Sequence, residues 1–576
     1  MDVKPRTICN PVNISYQYQA EYRSRESADP AVVVFKGEYF LFASHGSGYW
    51  VSPDLANWEF IRVDVEKHPE FKRFAPGTCV VGNTLYITHS EGGSILKSDN
   101  PRDPDSWVDI GKPYDWGDPA FFLDDDGFVY AYEGLSDKAP IHVSKLDPRQ
   151  DMKLVEGPVD CCWSDMAHRG FERSGDGNEN EQRRPYFEGA WMNKYEGRYY
   201  LTYAAPGTEF GTYADGCFVG DSPMGPFTYC DNSPVVWKAT GFMRGAGHGC
   251  LFEDLQGRFW KMDTVSISVN HPFERRLALF PAAFHKGRLV TNTVRGDYPM
   301  YIPADNPDPF GGPGPDWHLL SYGKASGASS TLNEAHAPDK AADENMKTWW
   351  SARTGDAGEW LELDLGGLLT VHALQVNFAD QDAQAVGGRD NAFCYRYRLD
   401  MSPDGERWES LLDRTENTAD RPHDYVELPR PVRMRFLRLT NAGPVPAGGK
   451  FAVSGLRVFG EGGEYAPAVA PEFKAARQKD TRTMTVVWKP VPDAQGYIVR
   501  FGVARQALFT HYQVIGDTQA VIGCLNTGVD YYVTVDAYNE SGVTAGTVVR
   551  RVSAKAKETG RSSRGKTILL KKEDHL

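Results

Sequence analysis

Between residues 1 and 303 the chain repeats one small pattern: a short apolar stretch, a turn glycine, then a second strand-like stretch, usually aromatic. The turn glycines are Gly37, Gly82, Gly127, Gly197 and Gly257, spaced about 45–70 residues apart. Glycine accepts the positive φ of tight hairpin turns. Val32 to Phe35 lead into the first turn and Tyr39 to Phe42 leave it. Several copies are followed by a strand and a Ser/Asp/Pro turn that ends on an aromatic, at Trp58, Trp107 and Phe227.

Groups of about four short strands at this interval predict the blades of a β-propeller, and five glycine hairpins predict five blades. Pro and Gly crowd residues 304–316, where strands must stop. Beyond them the pattern changes. Trp360 to Gly366 alternates strictly, as a half-buried strand should. Further strands are expected at 371–378, 395–401 and 433–440. A second seam lies near 461–471. The expected fold class is all-β. The expected layout is a propeller over 1–303, a linker over 304–321, a sandwich over 322–460, a second sandwich over 467–556 and a flexible tail over 557–576.

Counting back from the turn glycines brings out candidate chemistry. Asp29 lies eight residues before Gly37, and Asp118, Glu188 and His248 lie nine before Gly127, Gly197 and Gly257. The first strand of each blade lines a propeller's axis, so four blades would offer an ionisable group at one depth. The second blade offers Phe74 or Arg73 there. Asp before Pro is also a common turn signal, and both aspartates precede proline, at Pro30 and Pro119. The shared phase favours a site over coincidence. Converging carboxylates raise one another's pKa values, and burial raises them further. Glycosidic hydrolysis needs such a pair, one group protonated for the leaving oxygen and one ionised for water. Asp29 and Glu188 would sit on non-adjacent blades, leaving room for a water. A gap of roughly 6.5–9.5 Å would imply inversion.

The stretches Ala28-Asp29-Pro30-Ala31, Gly117-Asp118-Pro119-Ala120, Phe187-Glu188-Gly189-Ala190 and Gly247-His248-Gly249 resemble the signatures of family 43 glycoside hydrolases, in order, over residues 29–303. The resemblance implies a five-bladed propeller that hydrolyses O-glycosidic bonds with inversion. It implies Asp29 as general base, Glu188 as general acid and Asp118 as the residue that tunes and orients the acid. His248 would sit on the axis, where relatives hold a water or a calcium ion. No cofactor is required by this reading beyond such a structural calcium. The family usually has Gly-Pro after the acid, whereas Gly189 here is followed by Ala190 and Trp191. Residues 161–186 are expected to form a rim loop over the pocket. Trp116 and Trp191 are candidate sugar platforms, Trp50 a weaker one. Phe74 and Arg244 are further candidate substrate contacts. The spacing of Asp176, Asn178 and Asn180 mimics a calcium loop, but Glu181 and Phe187 stand at its glycine and final glutamate positions, so a solvated loop is expected.

Ala341 to Asn345, Thr348 to Ser351 and Trp360 to Gly366 resemble the discoidin, or factor 5/8 type C, module, which implies a jelly roll. Val486 to Trp488 and Leu525 to Asn539 resemble fibronectin type III, an immunoglobulin-like sandwich with Tyr531 in the corner role.

Composition sharpens this picture in few places. A net charge of −14 makes nucleic acid and anionic membranes poor partners, and leaves carbohydrate as the expected one. Aromatic residues make up 12% of the chain, enough for both cores and sugar-facing surfaces. Nine cysteines, an odd count with no metal-type pair, and an N-terminal stretch without an apolar signal core point to the cytoplasm. The accessory modules point instead to secretion or the periplasm, with a signal peptide already removed. The glycone is open between arabinofuranose, xylose and galactofuranose or galactose. Endo action and a non-catalytic carbohydrate-binding propeller are the competing readings, and oligomeric state is left open.

Overall fold

The structure, a computed structural model, describes residues 6–19, 23–383, 394–445 and 448–555. The tail expected over 557–576 lies outside the described residues. Strands dominate, and the helices among the described residues are short 3-10 turns.

Each glycine hairpin found in the sequence is formed. Gly37, Gly82, Gly127, Gly197 and Gly257 have φ of 82°, 60°, 78°, 77° and 79°. Three of the five strand groups are separate four-stranded antiparallel sheets. The first runs Ala31–Phe35, Glu38–Phe42, Gly48–Ser52, Glu59–Arg62. The second begins at Gly77–Val81 and the third at Ala120–Leu123. The fourth and fifth groups, beginning at Phe187–Tyr195 and Arg244–Glu253, are joined in one ten-stranded sheet by a parallel pairing of Ala214 with Ala246. The first strands of the five groups pack on one another in a closed cycle, each touching the next and the fifth touching the first. Thr7–Ile8 pairs with Met300–Tyr301, so the start and end of this region are stitched together.

Two 19-residue strands, Trp360–Phe378 and His423–Asn441, pair through bulges at the centre of the next unit. The alternation read from the sequence holds: Leu361, Leu363 and Leu365 are buried while Trp360, Glu362 and Asp364 are half-exposed. His318–Leu319, within the expected linker, is instead an edge strand of this sheet, paired with Gly460 and Phe459. The Pro/Gly-rich stretch before it is also tied down, for Tyr301 N–H donates to Pro313 O. The final unit has a three-stranded sheet, Phe473–Arg477, Met484–Trp488 and Gln519–Ile522, facing a five-stranded one. Trp488 and Tyr531 are buried between them, and Tyr531 Oη accepts the Asn526 N–H at 3.2 Å.

The units are bound by buried charges. Arg25 contacts Asp380 at 2.7 Å and Asp420 at 2.5 Å. Arg457 pairs with Glu344 at 2.5 Å and donates to the Asp297 carbonyl at 2.6 Å. The segment expected to be a rim loop has mainly another task. Arg173 within it reaches Asp480 at 2.6 Å, and Gly170 N–H donates to Leu525 O. It docks onto the final sandwich, and of its residues Arg183 and Tyr186 near its end line the cavity that also holds Asp29 and Glu188. The stretch around Asp176 and Asn180 is largely exposed, as a solvated loop is, with Asn178 alone buried as its anchor, its amide bonded to Phe171 O and Arg173 O.

Candidate active site

One backbone device recurs where the strand groups meet. Asp29, Ala75, Asp118 and His248 have φ of 54°, 40°, 47° and 47°, a left-handed conformation costly for residues with a Cβ. Each is held by a side chain that accepts its N–H: Thr264 Oγ1 for Asp29 at 2.7 Å, Ser44 Oγ for Ala75 at 2.7 Å, Ser90 Oγ for Asp118 at 2.9 Å and Asp215 Oδ1 for His248 at 2.8 Å. In the second group the left-handed residue is Ala75, and Phe74, one residue before it, reaches the same cavity as Asp29 and Asp118, whereas Arg73 does not line it. In the fourth group the left-handed residue is Gly189, with φ of 63°, so Glu188 stands one residue ahead of the others. Gly189 must also lack a side chain, because a Cβ there would lie 2.7 Å from His248 Cγ.

Asp29, Asp118, Glu188 and His248 line one cavity of about 550 Å³, together with Phe74 and Arg275. Asp29 Oδ2 accepts from Ser44 Oγ at 2.6 Å, and Arg275 Nη1 donates to Oδ1 at 3.1 Å. Arg275 is braced from behind by the fully buried Glu26, with Nε 3.0 Å from Oε1. His248 Nδ1 lies 3.3 Å from Asp29 Oδ1 and 3.8 Å from Asp118 Oδ2. Tyr213 donates its hydroxyl to Glu188 Oε1 at 2.7 Å.

The electrostatics divide the three carboxyls. Burial pulls Asp29 upward, but the Arg275 guanidinium, His248 and the Ser44 hydroxyl outweigh it and hold Asp29 below the usual carboxylate range. Glu188 is pushed up to about 7 by burial and by the charge of Asp29, against the Tyr213 hydrogen bond. Asp118 is raised well above its ordinary value by burial and by the charges of Glu188 and Asp29. Near neutral pH the cavity therefore offers one ionised carboxylate and one acid poised to give its proton.

Behind His248, Lys261 is buried with Nζ 2.5 Å from Asp215 Oδ2 and 2.8 Å from Asp263 Oδ1. No group of three or more His, Cys, Asp or Glu among the described residues is arranged to hold a metal ion.

The other candidates divide. Phe74 lines the cavity, 5.6 Å from Phe273 in an edge-on pair. Trp116 is buried away from it, its indole N–H on Thr88 Oγ1 at 3.2 Å and its ring against Tyr114 and Phe121. Trp191 donates to the Leu251 carbonyl at 3.0 Å and packs into the core. Trp50 is buried and donates to Ser15 Oγ at 3.1 Å. Arg244 lies against Gly211, outside the cavity lining. The three tryptophans are packing residues, each with its indole N–H spent on a neighbouring strand or loop and none in the cavity lining. Sequence reading missed Arg275, Tyr213, Thr208 and Phe273. None shares the glycine-hairpin phase, and the charge doublet Arg275-Arg276 was the one available signal.

Residues 23–287 match the model of glycosyl hydrolases family 43, and residues 325–452 match the F5/8 type C domain. A β-xylosidase of Xylanibacter ruminicola is 30% identical over 270 residues, covering 37% of this chain and 80% of the relative. A xylosidase/arabinosidase of Bacteroides ovatus is 30% identical over 260 residues, covering 35% and 76%. An arabinoxylan arabinofuranohydrolase of Bacillus subtilis is 34% identical over 170 residues, covering 25% and 30%. With a buried carboxylate set of divided protonation at its centre, the chain belongs to family 43 of the glycosyl hydrolases, enzymes that hydrolyse O-glycosyl bonds, and it carries an F5/8 type C domain behind the catalytic region.

Proposed function

We propose that the protein removes terminal pentose units, xylosyl or arabinofuranosyl, from oligo- or polysaccharides with inversion at the anomeric carbon. The observation that carries this reading is the opposite displacement of Asp29 and Glu188 within one cavity. Ionised Asp29 takes a proton from water as the water oxygen bonds to the anomeric carbon. Glu188 gives its proton to the glycosidic oxygen as the bond between that oxygen and the anomeric carbon breaks. Asp118, kept neutral beside them, orients Glu188 and keeps a third negative charge out of the cavity. Arg275 holds Asp29 in line and opposes its protonation. Relatives named as xylosidases and arabinosidases support the pentose glycone, and a cavity of about 550 Å³ suits a chain end.

The closed cycle of five first strands supports a five-bladed propeller for residues 1–303. The three- and five-stranded sheets around Trp488 and Tyr531 support a fibronectin type III module over 467–556.

The test is turnover of p-nitrophenyl xyloside, arabinofuranoside, galactofuranoside and galactoside by the full chain, beside Asp29→Ala and Glu188→Gln. Release from a pentoside, reduced about a hundredfold or more in either variant, is expected, with the inverted anomer appearing first by NMR. A retained anomer would sink the inverting assignment. Sugar binding that is undiminished in both variants, without turnover by the parent on these glycosides or on arabinoxylan oligosaccharides, would favour a carbohydrate-binding propeller.

A further inference from the structure

A second cavity, of about 730 Å³, lies between the catalytic region and the F5/8 type C domain. It is larger than the catalytic cavity and is separated from it by one segment of chain. In the connection between the strands Phe259–Ser266 and Arg275–His285, Pro272 and Phe273 line the catalytic side, as does Arg275 at the start of the second strand, while Val269, Asn270 and Glu274 line the other. The opposite wall is supplied by the F5/8 type C domain and includes Trp349 and Gln381.

Trp349 is half-buried and fixed in place. The His336 ring stacks against it at 4.8 Å with 28° between planes, and its indole N–H donates to Gln381 Oε1 at 2.8 Å. A rigid indole lining a cavity, with amides beside it, is what the C–H face of a sugar ring packs against at low entropic cost. The charges in the wall answer one another. The lining carries both signs, Arg23 and Arg276 with Glu274, Asp380 and Asp382, and two of the carboxylates are already paired, Asp380 with Arg25 at 2.7 Å and Asp382 with Lys450. Such a wall offers little net field to an ion and many dipoles to a neutral polyol. Ser24, also in the lining, carries a buried hydroxyl without a hydrogen-bond partner among the described residues.

We propose that this inter-module cavity binds a second portion of the neutral glycan whose end is cut in the catalytic cavity, with Trp349 as its platform; the inference rests on the glycosidase reading above. The site belongs to neither module alone, since the partition segment and the Trp349 wall come from different ones. A small aryl glycoside would fill only the catalytic cavity and would not report on it.

The experiment compares Trp349→Ala and Gln381→Ala with the parent full chain, each first checked for an unchanged melting transition. For arabinoxylan oligosaccharides, KM is expected to rise about fivefold in Trp349→Ala, the worth of one aromatic contact, while kcat/KM for the active p-nitrophenyl glycoside stays unchanged. Should Trp349→Ala fail to fold, Gln381→Ala decides by the same split. Calorimetric titration of arabinoxylan oligosaccharides into Glu188→Gln protein, with and without these substitutions, reads binding without turnover. Weakened binding upholds the cavity even if no substrate is cleaved, an outcome that would instead count against the glycosidase reading. Oligosaccharide binding and KM untouched by both substitutions, or no binding to Glu188→Gln at all, would overturn the proposal.

Discussion

At the scale of single residues the protein turns on how differently it treats three carboxyls a few positions from equivalent glycines. Asp29 faces a guanidinium, whereas Glu188 is raised by burial and the charge of Asp29, and Asp118 by burial and the charges of Glu188 and Asp29. The expected pH–rate profile is a bell. Its alkaline limb falls as pH rises through about 7, where Glu188 loses the proton it must donate. Its acid limb lies below the ordinary carboxylate range, because Asp29 stays ionised there. An alkaline limb that survives unchanged in Glu188→Gln at residual activity would remove Glu188 from the acid role. The same shift has a cost in stability. A carboxyl raised in the folded state contributes stability that is fully present below its unfolded value and is lost as pH rises through about 7. Glu188→Gln cannot ionise, so above pH 7 it should unfold later than the parent, by up to about 3 kcal/mol. Parallel urea titrations at acid and alkaline pH check this, and equal stability of the two proteins at both would contradict it.

At the scale of elements, the recurring unit is a left-handed residue at a strand start whose N–H is caught by a side chain from a neighbouring group. Ser90 holds Asp118 in this way and Ser44 holds Ala75 while also donating to Asp29. The strain is thereby kept where it aims side chains at the axis. Ser90→Ala would leave the Asp118 N–H buried without an acceptor. The expected loss is about 1–3 kcal/mol in urea unfolding, and the orienting role proposed for Asp118 predicts a fall in kcat larger than any change in KM. A variant with full stability and activity would mean that water or backbone takes over the N–H. The glycine hairpins that frame these strands were legible from composition and spacing alone. The offset of Glu188 was not: it lies nine residues before its turn glycine just as Asp118 and His248 do, and only the backbone shows that Gly189 is the left-handed residue there. Ala75 was likewise invisible, since an alanine carries no chemical signal and its role is wholly in φ.

At the scale of the whole molecule, the modules are joined by ion pairs withdrawn from water, not by loose linkers. Arg25 contributes to the catalytic region's edge and closes on Asp380 and Asp420 of the next unit. Removing it would strand two carboxylates in a buried interface, so Arg25→Ala is expected to cost about 3 kcal/mol or more. Differential scanning calorimetry should register this as a lowered main transition, and two separated transitions already in the parent would show that the units melt independently. By itself the sequence determined the all-β class, the five hairpins, the seam between unlike strand patterns, the family resemblance and the carboxylate set, because these depend on residue type and local spacing. Tertiary structure alone decided which aromatics face the cavity, that Arg275 and Tyr213 tune the acids, that residues 163–182 clasp the last sandwich, and that a second cavity opens between modules. Those outcomes depend on which surfaces meet after the chain has folded back on itself, and burial, counter-charge and facing direction are properties of that meeting.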